Sequence, residues 1–304
     1  MRAFVTRLMA LLAGLSVFAA MPARANLNVL ACEPEWAALV GELGGDKVRV
    51  ASATTAFQDP HHIDARPSLI ARARSADLLV CTGAELEVGW LPVLQRESGN
   101  ARIQAGTPGH FQAADRVALL DKPARVDRSM GDVHAAGNPH LHLDPRNIAP
   151  VAQALAARLA QLDKGSADYY AARNRDFQQR WQAALARWQA RGATLKGVAI
   201  ATHHKDWVYL AHWLGMKAEV TLEPKPGVEP SVAYLGEVLG RVRREPVRLV
   251  IHTNYQSPRA ARWLAERAGV PVLELPYTVG TAPGTDNLFA WVDGLLDRLL
   301  AAVK

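Results

Sequence analysis

The sequence predicts an α/β protein of two lobes, each with a parallel sheet, joined by one long α-helix. Short apolar runs alternate with helical patterns along most of the chain, which is typical of βαβ units. One long helical pattern divides this series in two. The roughly 280 residues after the first segment also exceed the 100–200 of an ordinary domain. We therefore expect two Rossmann-like lobes.

The first 25 residues have the features of an export signal. Arg2 and Arg7 form a basic start, Leu8–Met21 is apolar, and Ala23-Arg24-Ala25 has the small-x-small form of a cleavage site. The apolar run is shorter than the roughly 20 residues of a membrane-spanning helix, although an uncleaved anchor is the alternative. We expect a signal peptide at 1–25 and a mature chain in the periplasm.

Charge and composition do not indicate a nucleic-acid partner. The chain has a formal charge of +6, but the export segment holds three arginines and no acidic residue, so +3 remains after its removal. No basic stripe with interleaved aromatic residues is present. No later segment is long and apolar enough to cross a membrane.

The first lobe is expected over residues 26–164. Its predicted strands are Asn28–Cys32, Lys47–Ala53 and Ala76–Cys81, and its predicted helices are Pro34–Leu43, Ser68–Ser75, Leu86–Ser98 and Pro145–Leu162. Asp144 is a candidate N-cap for the last of these helices, with Pro145 at its first position. Residues 99–139 are polar and rich in Gly, Pro and Asp, so short strands and loops are expected there.

The linking helix is expected within residues 165–192, where a helical pattern extends from Ser166 to Gln189. Its apolar stripe consists of Tyr170, Phe177, Trp181, Leu185 and Trp188. At 1.5 Å per residue this helix would be more than about 30 Å long, enough to connect two lobes. An ordinary surface helix packed on one lobe is the alternative, but a fresh βα series starts directly after it.

The second lobe is expected over residues 193–304. Its predicted strands are Gly197–Thr202, Glu219–Leu222, Arg248–His252 and Val270–Leu275, and its predicted helices are Lys205–Leu214, Ser231–Arg244, Pro258–Ala268 and Asp286–Val303. This series repeats the architecture of the first lobe without a visible sequence repeat.

The two cysteines, Cys32 and Cys81, each end an apolar run that is predicted to be a strand. Neighbouring parallel strands would bring the two thiols together, and an exported protein meets an oxidising compartment. Two buried free thiols are the alternative. No Cys or His lies at zinc-ribbon spacing from either residue, so a thiolate metal site is not indicated.

Six of the ten histidines lie in three tight groups, each in a loop or at the carboxyl end of a predicted strand. The groups are His61-His62, His140-x-His142 and His203-His204. Ligands of open α/β sheets bind outside these strand ends, so the three groups can converge in a cleft. Neutral imidazole is a good ligand for zinc, and three imidazoles plus a carboxylate or water would complete its tetrahedron.

The other histidines give weaker signals. His212 lies among apolar residues of a helix, and His110 and His252 have no partner in sequence. His134 lies in a Gly-rich loop, where it is either a solvated residue or one that brings metal to the site.

The local sequences around these histidines resemble those of the periplasmic zinc- and manganese-binding proteins of ABC importers, the cluster A-I metal receptors. The matching stretches are Asp59-Pro60-His61, Asn138-Pro139-His140-Leu141-His142-Leu143-Asp144-Pro145, His204-Lys205-Asp206-Trp207-Val208-Tyr209, Gly83-Ala84-Glu85-Leu86-Glu87 with Trp90-Leu91, and Glu229-Pro230-Ser231. Each stretch alone is weak evidence. Their order and spacing together are specific and cover the mature chain.

The resemblance implies a metal ion between two lobes, held by His61 and His140 from the first and His204 from the second. It implies Asp286, just before the final helix, as the fourth ligand. A helix N-cap is the alternative role for Asp286, and water replaces this ligand in some members.

The sequence departs from the family pattern at two positions. His142 stands where the family has Trp, and Asn138 where it has Asp. His62 and His203 also double two of the ligand positions, so their roles are left open.

We therefore predict a periplasmic receptor that binds Zn²⁺, acts as a monomer and delivers the ion to an ABC permease in the inner membrane. Mn²⁺ is the less favoured cargo because it suits carboxylate-rich sites. A zinc-dependent adhesin or sensor of the same fold is the first alternative. A metallohydrolase is the second, but no H-E-x-x-H motif is present.

Overall fold

A computed structural model describes residues 26–126 and 131–304. The predicted signal peptide at 1–25 lies outside the described residues. Within the described ranges the chain forms two α/β lobes and one long helix between them, which confirms the predicted fold class. No helix in these ranges combines the length and apolar character that crossing a membrane requires.

Each lobe alternates strands and helices. In the first lobe these are β1 (Leu27–Ala31), α1 (Pro34–Gly44), β2 (Val48–Ser52), α2 (Pro67–Ser75), β3 (Leu78–Cys81), α3 (Leu91–Ser98), β4 (His110–Gln112) and α4 (Ile148–Leu162). The long helix is α5 (Ala167–Gly192). In the second lobe they are β5 (Ala199–Thr202), α6 (Val208–Leu214), β6 (Lys217–Thr221), α7 (Val232–Arg244), β7 (Leu249–Thr253), α8 (Arg259–Ala268), β8 (Val272–Leu275) and α9 (Leu288–Ala302).

Both sheets are parallel and share one strand order. The first is arranged β2-β1-β3-β4 and the second β6-β5-β7-β8. Helices cover both faces of such sheets, so their central strands are buried and mostly apolar. Every residue of β3 and β7 is buried, and β7 is apolar up to His252 and Thr253 at its carboxyl end. Because all strands of a sheet point the same way, the loops after them gather at one edge.

Helix α5 connects the lobes. Its 26 residues span about 39 Å at 1.5 Å per residue. Near its middle, Nε1 of Trp181 donates a hydrogen bond of 2.8 Å to the carbonyl of Pro145 in the first lobe. Further along, Nε1 of Trp188 donates one of 2.8 Å to the carboxylate of Asp293 in the second lobe. The predicted linking helix is therefore confirmed.

The two lobes also share one apolar core. A single cluster of buried residues includes Trp36 of α1, Trp181 of α5 and Trp291 of α9. A buried polar contact crosses the same boundary, where the hydroxyl of Thr278 donates to the carboxylate of Glu35 at 2.5 Å. Separating the lobes widely would expose this core to water. The free-energy cost would be about 25 cal/mol for each Å² of apolar surface exposed. The fold therefore limits how far the cleft can open.

The predicted helix at Leu86–Ser98 is wrong in its first turn, because α3 begins only at Leu91. Residues Ala84 and Glu85 have φ of 50° and 67°, which no α-helix accommodates. The carboxylate of Glu87 accepts hydrogen bonds from the backbone of Thr82 at 2.7 Å and Gly83 at 3.1 Å. This local side-chain bonding replaces the first helical turn with a series of tight turns.

The structure joins Cys32 and Cys81 in a disulfide, which decides between the two alternatives left open by the sequence. The two residues stand at the ends of neighbouring strands β1 and β3, with their Cα atoms 4.8 Å apart. The bridge ties together the two central strands of the first sheet, at the edge where the histidine loops start.

We predict that reducing this disulfide destabilises the chain by about 4 kcal/mol, because the bridge closes a loop with a sequence separation of 49. Urea unfolding of the oxidised and reduced parent measures the loss, and a thiol assay on the denatured, unreduced chain should find none. Two free thiols, or equal stability of both forms, would contradict this account.

Candidate metal centre

Three histidines from separate loops meet at the edge where the strands of both sheets end. His61 lies in the loop after β2, His140 precedes the short helical turn before α4, and His204 is the second residue after β5. One nitrogen of each ring lies within 4.8 Å of the others. The ring centroids of His140 lie 5.4 Å from those of both His61 and His204, and the latter two are 5.8 Å apart. The structure thus brings together three of the four predicted ligands.

Two of these rings are held by carboxylates. Asp59 accepts hydrogen bonds from both the backbone N–H and Nδ1 of His61, at 3.0 and 2.7 Å, so one side chain fixes the loop and the ring together. Glu223, which follows β6, accepts from Nδ1 of His204 at 2.6 Å. A carboxylate on the far nitrogen is the usual outer partner of a metal-binding histidine, because it orients the ring and raises its basicity.

The third ring is held by a tyrosine. Nδ1 of His140 lies 2.6 Å from the hydroxyl oxygen of Tyr277, a residue of the second lobe. With Nδ1–H as the donor, the lone pair of Nε2 is free. The Nε2 atoms of His140 and His61 are buried and have no hydrogen-bond partner among the described residues. Buried polar atoms are rarely left unpaired, and the lone pairs of these two nitrogens can bind a cation.

Asn138 fixes the position of His140 against the second lobe. Its Oδ1 accepts from the backbone N–H of His140 at 3.0 Å, and its Nδ2 donates to the carbonyl of Lys205 at 2.6 Å. The hydroxyl of Tyr209 donates to the carbonyl of Asn138 at 2.8 Å. An ionised Asp could accept but could not donate to Lys205. This explains how Asn serves where the resemblance led us to expect Asp.

Burial and nearby charge set the protonation of the rings. Burial, assisted by the neighbouring histidines, lowers the pKa of His140 well below its usual value, so the ring is neutral at pH 7. Burial also disfavours the charged form of His204, but the hydrogen bond from its ring to Glu223 and the charge of Asp206 outweigh burial and raise its pKa. An incoming cation must therefore displace a proton from His204 more often than from His140.

Asp286 does not join this group. The residue is exposed, and its carboxylate is not part of the cluster formed by the three histidines. The segment between β8 and α9 passes the cluster earlier, at Tyr277, and has reached the surface by Asp286. The N-cap of α9 is the next residue, Asn287, whose Oδ1 accepts from the backbone of Ala290 at 3.0 Å. The alternative role of Asp286 as N-cap is therefore wrong, and in this structure its carboxylate lies apart from the three converging nitrogens.

The other histidines of the three groups, His62, His142 and His203, lie apart from the cluster. His142 is fully buried between the lobes, with Nε2 3.1 Å from the carbonyl of Tyr277 and its ring stacked on Trp291. His203 is buried too, and its Nε2 lies 3.8 Å from Oε1 of Glu223. The side chain of His62 is 67% exposed on the rim. None of the three belongs to the group of converging nitrogens.

His134 is the residue that sequence reasoning undervalued. Its ring stacks on His61 with the centroids 5.4 Å apart, and its Nε2 is buried without a hydrogen-bond partner in the described structure. Burial and the nearby His61 and His204 lower the pKa of His134 to about 4. Its loop carries no periodic pattern, so the sequence left open whether His134 is solvated or brings metal to the site.

Two cavities open onto the cluster. A cavity of about 470 Å³ is lined by His134, His140 and His204 together with Pro224 and Pro226. A smaller one of about 220 Å³ is lined by His61 and His204 together with Asp59 and Glu223. All three converging histidines therefore border space that a small ion can enter.

Comparisons with known proteins place the chain among metal-uptake proteins. The family model described as zinc-uptake complex component A, periplasmic, matches residues 29–302. The high-affinity zinc uptake system protein ZnuA of Paracoccus denitrificans is 24% identical over 261 residues, covering 75% of this chain and 76% of that protein. The manganese ABC transporter substrate-binding lipoprotein PsaA of Streptococcus pneumoniae is 22% identical over 282 residues, covering 90% and 87%.

The fold has a close counterpart among solved structures. A crystal structure of ZnuA superposes with a TM-score of 0.76 at 20% sequence identity, and the match covers 92% of this chain and 100% of that one. Because the family model matches nearly the whole chain, this protein belongs to the family of zinc-uptake complex component A, periplasmic.

Proposed function

We propose that this chain is a periplasmic receptor that captures Zn²⁺ with His61, His140 and His204 and delivers it to an ABC permease. One observation carries the proposal. Three imidazoles from both lobes converge, and each has its Nδ1 held by its own partner. Such bracing leaves Nε2 of each ring for the ion.

The donor set favours zinc over manganese. Tetrahedral zinc with bonds of about 2.0–2.1 Å places two bound nitrogens roughly 3.4 Å apart. The three nitrogens lie within 4.8 Å of one another, so a small inward movement would complete the bonds. The nearby carboxylates of Asp59 and Glu223 hold Nδ1 atoms, so imidazoles surround the ion, and imidazole suits zinc better than manganese.

The same features favour a receptor over an enzyme. A metallohydrolase needs a general base within reach of a metal-bound water. The two carboxylates nearest the rings, Asp59 and Glu223, are already hydrogen-bonded to histidines. The family is that of an uptake component, which also favours transport over an adhesin or sensor of the same fold. Zinc uptake by cells that lack this chain discriminates these two functions, since a transport receptor predicts reduced uptake and an adhesin or sensor predicts uptake like that of the parent cells.

We predict that His61→Ala, His140→Ala and His204→Ala each weaken zinc binding by more than about 100-fold, the upper end of what losing an outer partner costs. Competition against a zinc chelator measures the affinity. His62→Ala is the matched control, because its exposed ring lies next to His61 but outside the cluster. Three variants that bind zinc like the parent would show that the site is misplaced.

We predict that Glu223→Gln weakens zinc binding about 10- to 100-fold, because it removes the carboxylate that holds the ring of His204. Glu223 also raises the pKa of His204, so this ring carries an extra proton that zinc must displace. Zinc affinity should therefore fall as the pH drops through the raised pKa of His204. In Glu223→Gln this fall should move to lower pH, and fewer protons should be released at pH 7.

Calorimetry in buffers of different ionisation enthalpy counts those protons. Glu229→Gln is the matched control, since Glu229 lines the same cavity but is exposed and makes no hydrogen bond to His204. An unchanged proton count in Glu223→Gln would contradict the role assigned to this carboxylate.

A further inference from the structure

We propose that His134 is the fourth protein ligand and completes an all-histidine zinc site. This inference rests on the proposed function, because it concerns the same ion. It replaces the predicted ligand Asp286, which is exposed and outside the cluster.

The ring of His134 lies at a ligand-like distance from one of the three converging histidines, His61. Zinc–nitrogen bonds of about 2.0–2.1 Å at tetrahedral angles put the centroids of two bound imidazoles roughly 5 Å apart. The centroids of His134 and His61 are 5.4 Å apart, the same separation as that between His61 and His140, although the planes of His134 and His61 are inclined by only 29° and those of His61 and His140 by 67°. The nitrogens of His134 lie outside the group of three converging nitrogens, so its ring must turn and move inward to bind the ion.

The Nε2 atom of His134 has no other use in the described structure. It is buried and lacks a hydrogen-bond partner, as do the Nε2 atoms of His61 and His140. Leaving a polar atom in this state is unfavourable unless a ligand or water satisfies it. Three such atoms on neighbouring rings, beside a cavity lined by His134 and His140, indicate one shared ligand.

The backbone around His134 is attached to both lobes. The N–H of Asp132 donates to the carbonyl of Pro226 in the second lobe at 3.0 Å. The N–H of Ala135 donates to the carboxylate of Glu85 in the first lobe at 2.6 Å. These two contacts flank His134 on either side and fix the backbone that carries its ring.

The sequence supports this close approach of the segment to the second lobe. Gly131 has φ of 78°, and a Cβ at this position would lie 2.2 Å from the carbonyl oxygen of Pro226. Only glycine fits such a contact. Glu85, which binds Ala135, is itself held at a φ of 67°, a conformation that non-glycine residues adopt at a cost. The backbone conformations of Gly131 and Glu85 are both unusual, and both bring the segment around His134 close to the site.

Charge balance is consistent with a fourth neutral ligand. Four imidazoles leave the two positive charges of Zn²⁺ uncompensated within the site. The carboxylates of Asp59 and Glu223, each one ring away, supply two negative charges.

The test compares His134→Ala and His134→Asp with the parent mature chain. Val133→Ala is the matched control, because it shortens a neighbouring side chain of the same segment without removing an imidazole. Zinc affinity is measured by chelator competition, and the geometry of the site by the visible absorption of bound Co²⁺. Circular dichroism of the metal-free variants checks their folding.

We expect His134→Ala to bind zinc at least about 10-fold more weakly, as even an outer partner contributes this much. In this variant water would take the position of the imidazole on the metal, and the pKa of a metal-bound water is about 7. Its cobalt spectrum should therefore change with pH, with a midpoint at that pKa. The parent and Val133→Ala should show no such dependence. His134→Asp should restore the parent behaviour, since a carboxylate can replace the imidazole as ligand.

A His134→Ala chain that matches the parent in affinity and spectrum overturns this inference. If His61→Ala, His140→Ala and His204→Ala still lose binding in that case, the proposed function stands without it. A parent chain that binds neither Zn²⁺ nor Co²⁺ overturns both.

Discussion

The function proposed for this chain depends on how each imidazole is held by its Nδ1 atom. A histidine can present Nε2 to a cation only if its ring is oriented and its proton sits on the other nitrogen. Asp59, Tyr277 and Glu223 provide that contact for His61, His140 and His204 respectively. One of these partners belongs to the first lobe and two to the second, so the site exists only when both lobes are in place.

The fold meets this requirement with two similar sheets on a shared core. The common strand order directs the loops after β2 and β5 toward the same cleft. Helix α5 and the apolar cluster around Trp181 then fix the distance between the lobes. Hydrogen bonds across the boundary, such as that from Nδ2 of Asn254 to the carbonyl of Ala56 at 2.6 Å, also fix the relative orientation of the lobes. A receptor built in this way is expected to capture its ion by small movements.

Much of this architecture could be predicted from sequence, because buried parallel strands are short apolar runs bounded by turn residues. Three ligand candidates followed from local motifs. The parts that could not be predicted depend on contacts between distant positions. Tyr277 lies 137 residues from His140, and no local pattern links them. His134 lies in a segment without periodicity, and Asp286 matched the family pattern in sequence although the chain leaves the cleft before reaching it.

The most direct test is a crystal structure of the zinc-loaded mature chain with anomalous diffraction data collected at the zinc absorption edge. Our account predicts one strong peak in the cleft, bonded to Nε2 of His61, His140 and His204 at about 2.0–2.1 Å. A zinc ion bound elsewhere, or at these rings through Nδ1, would contradict the site as we describe it.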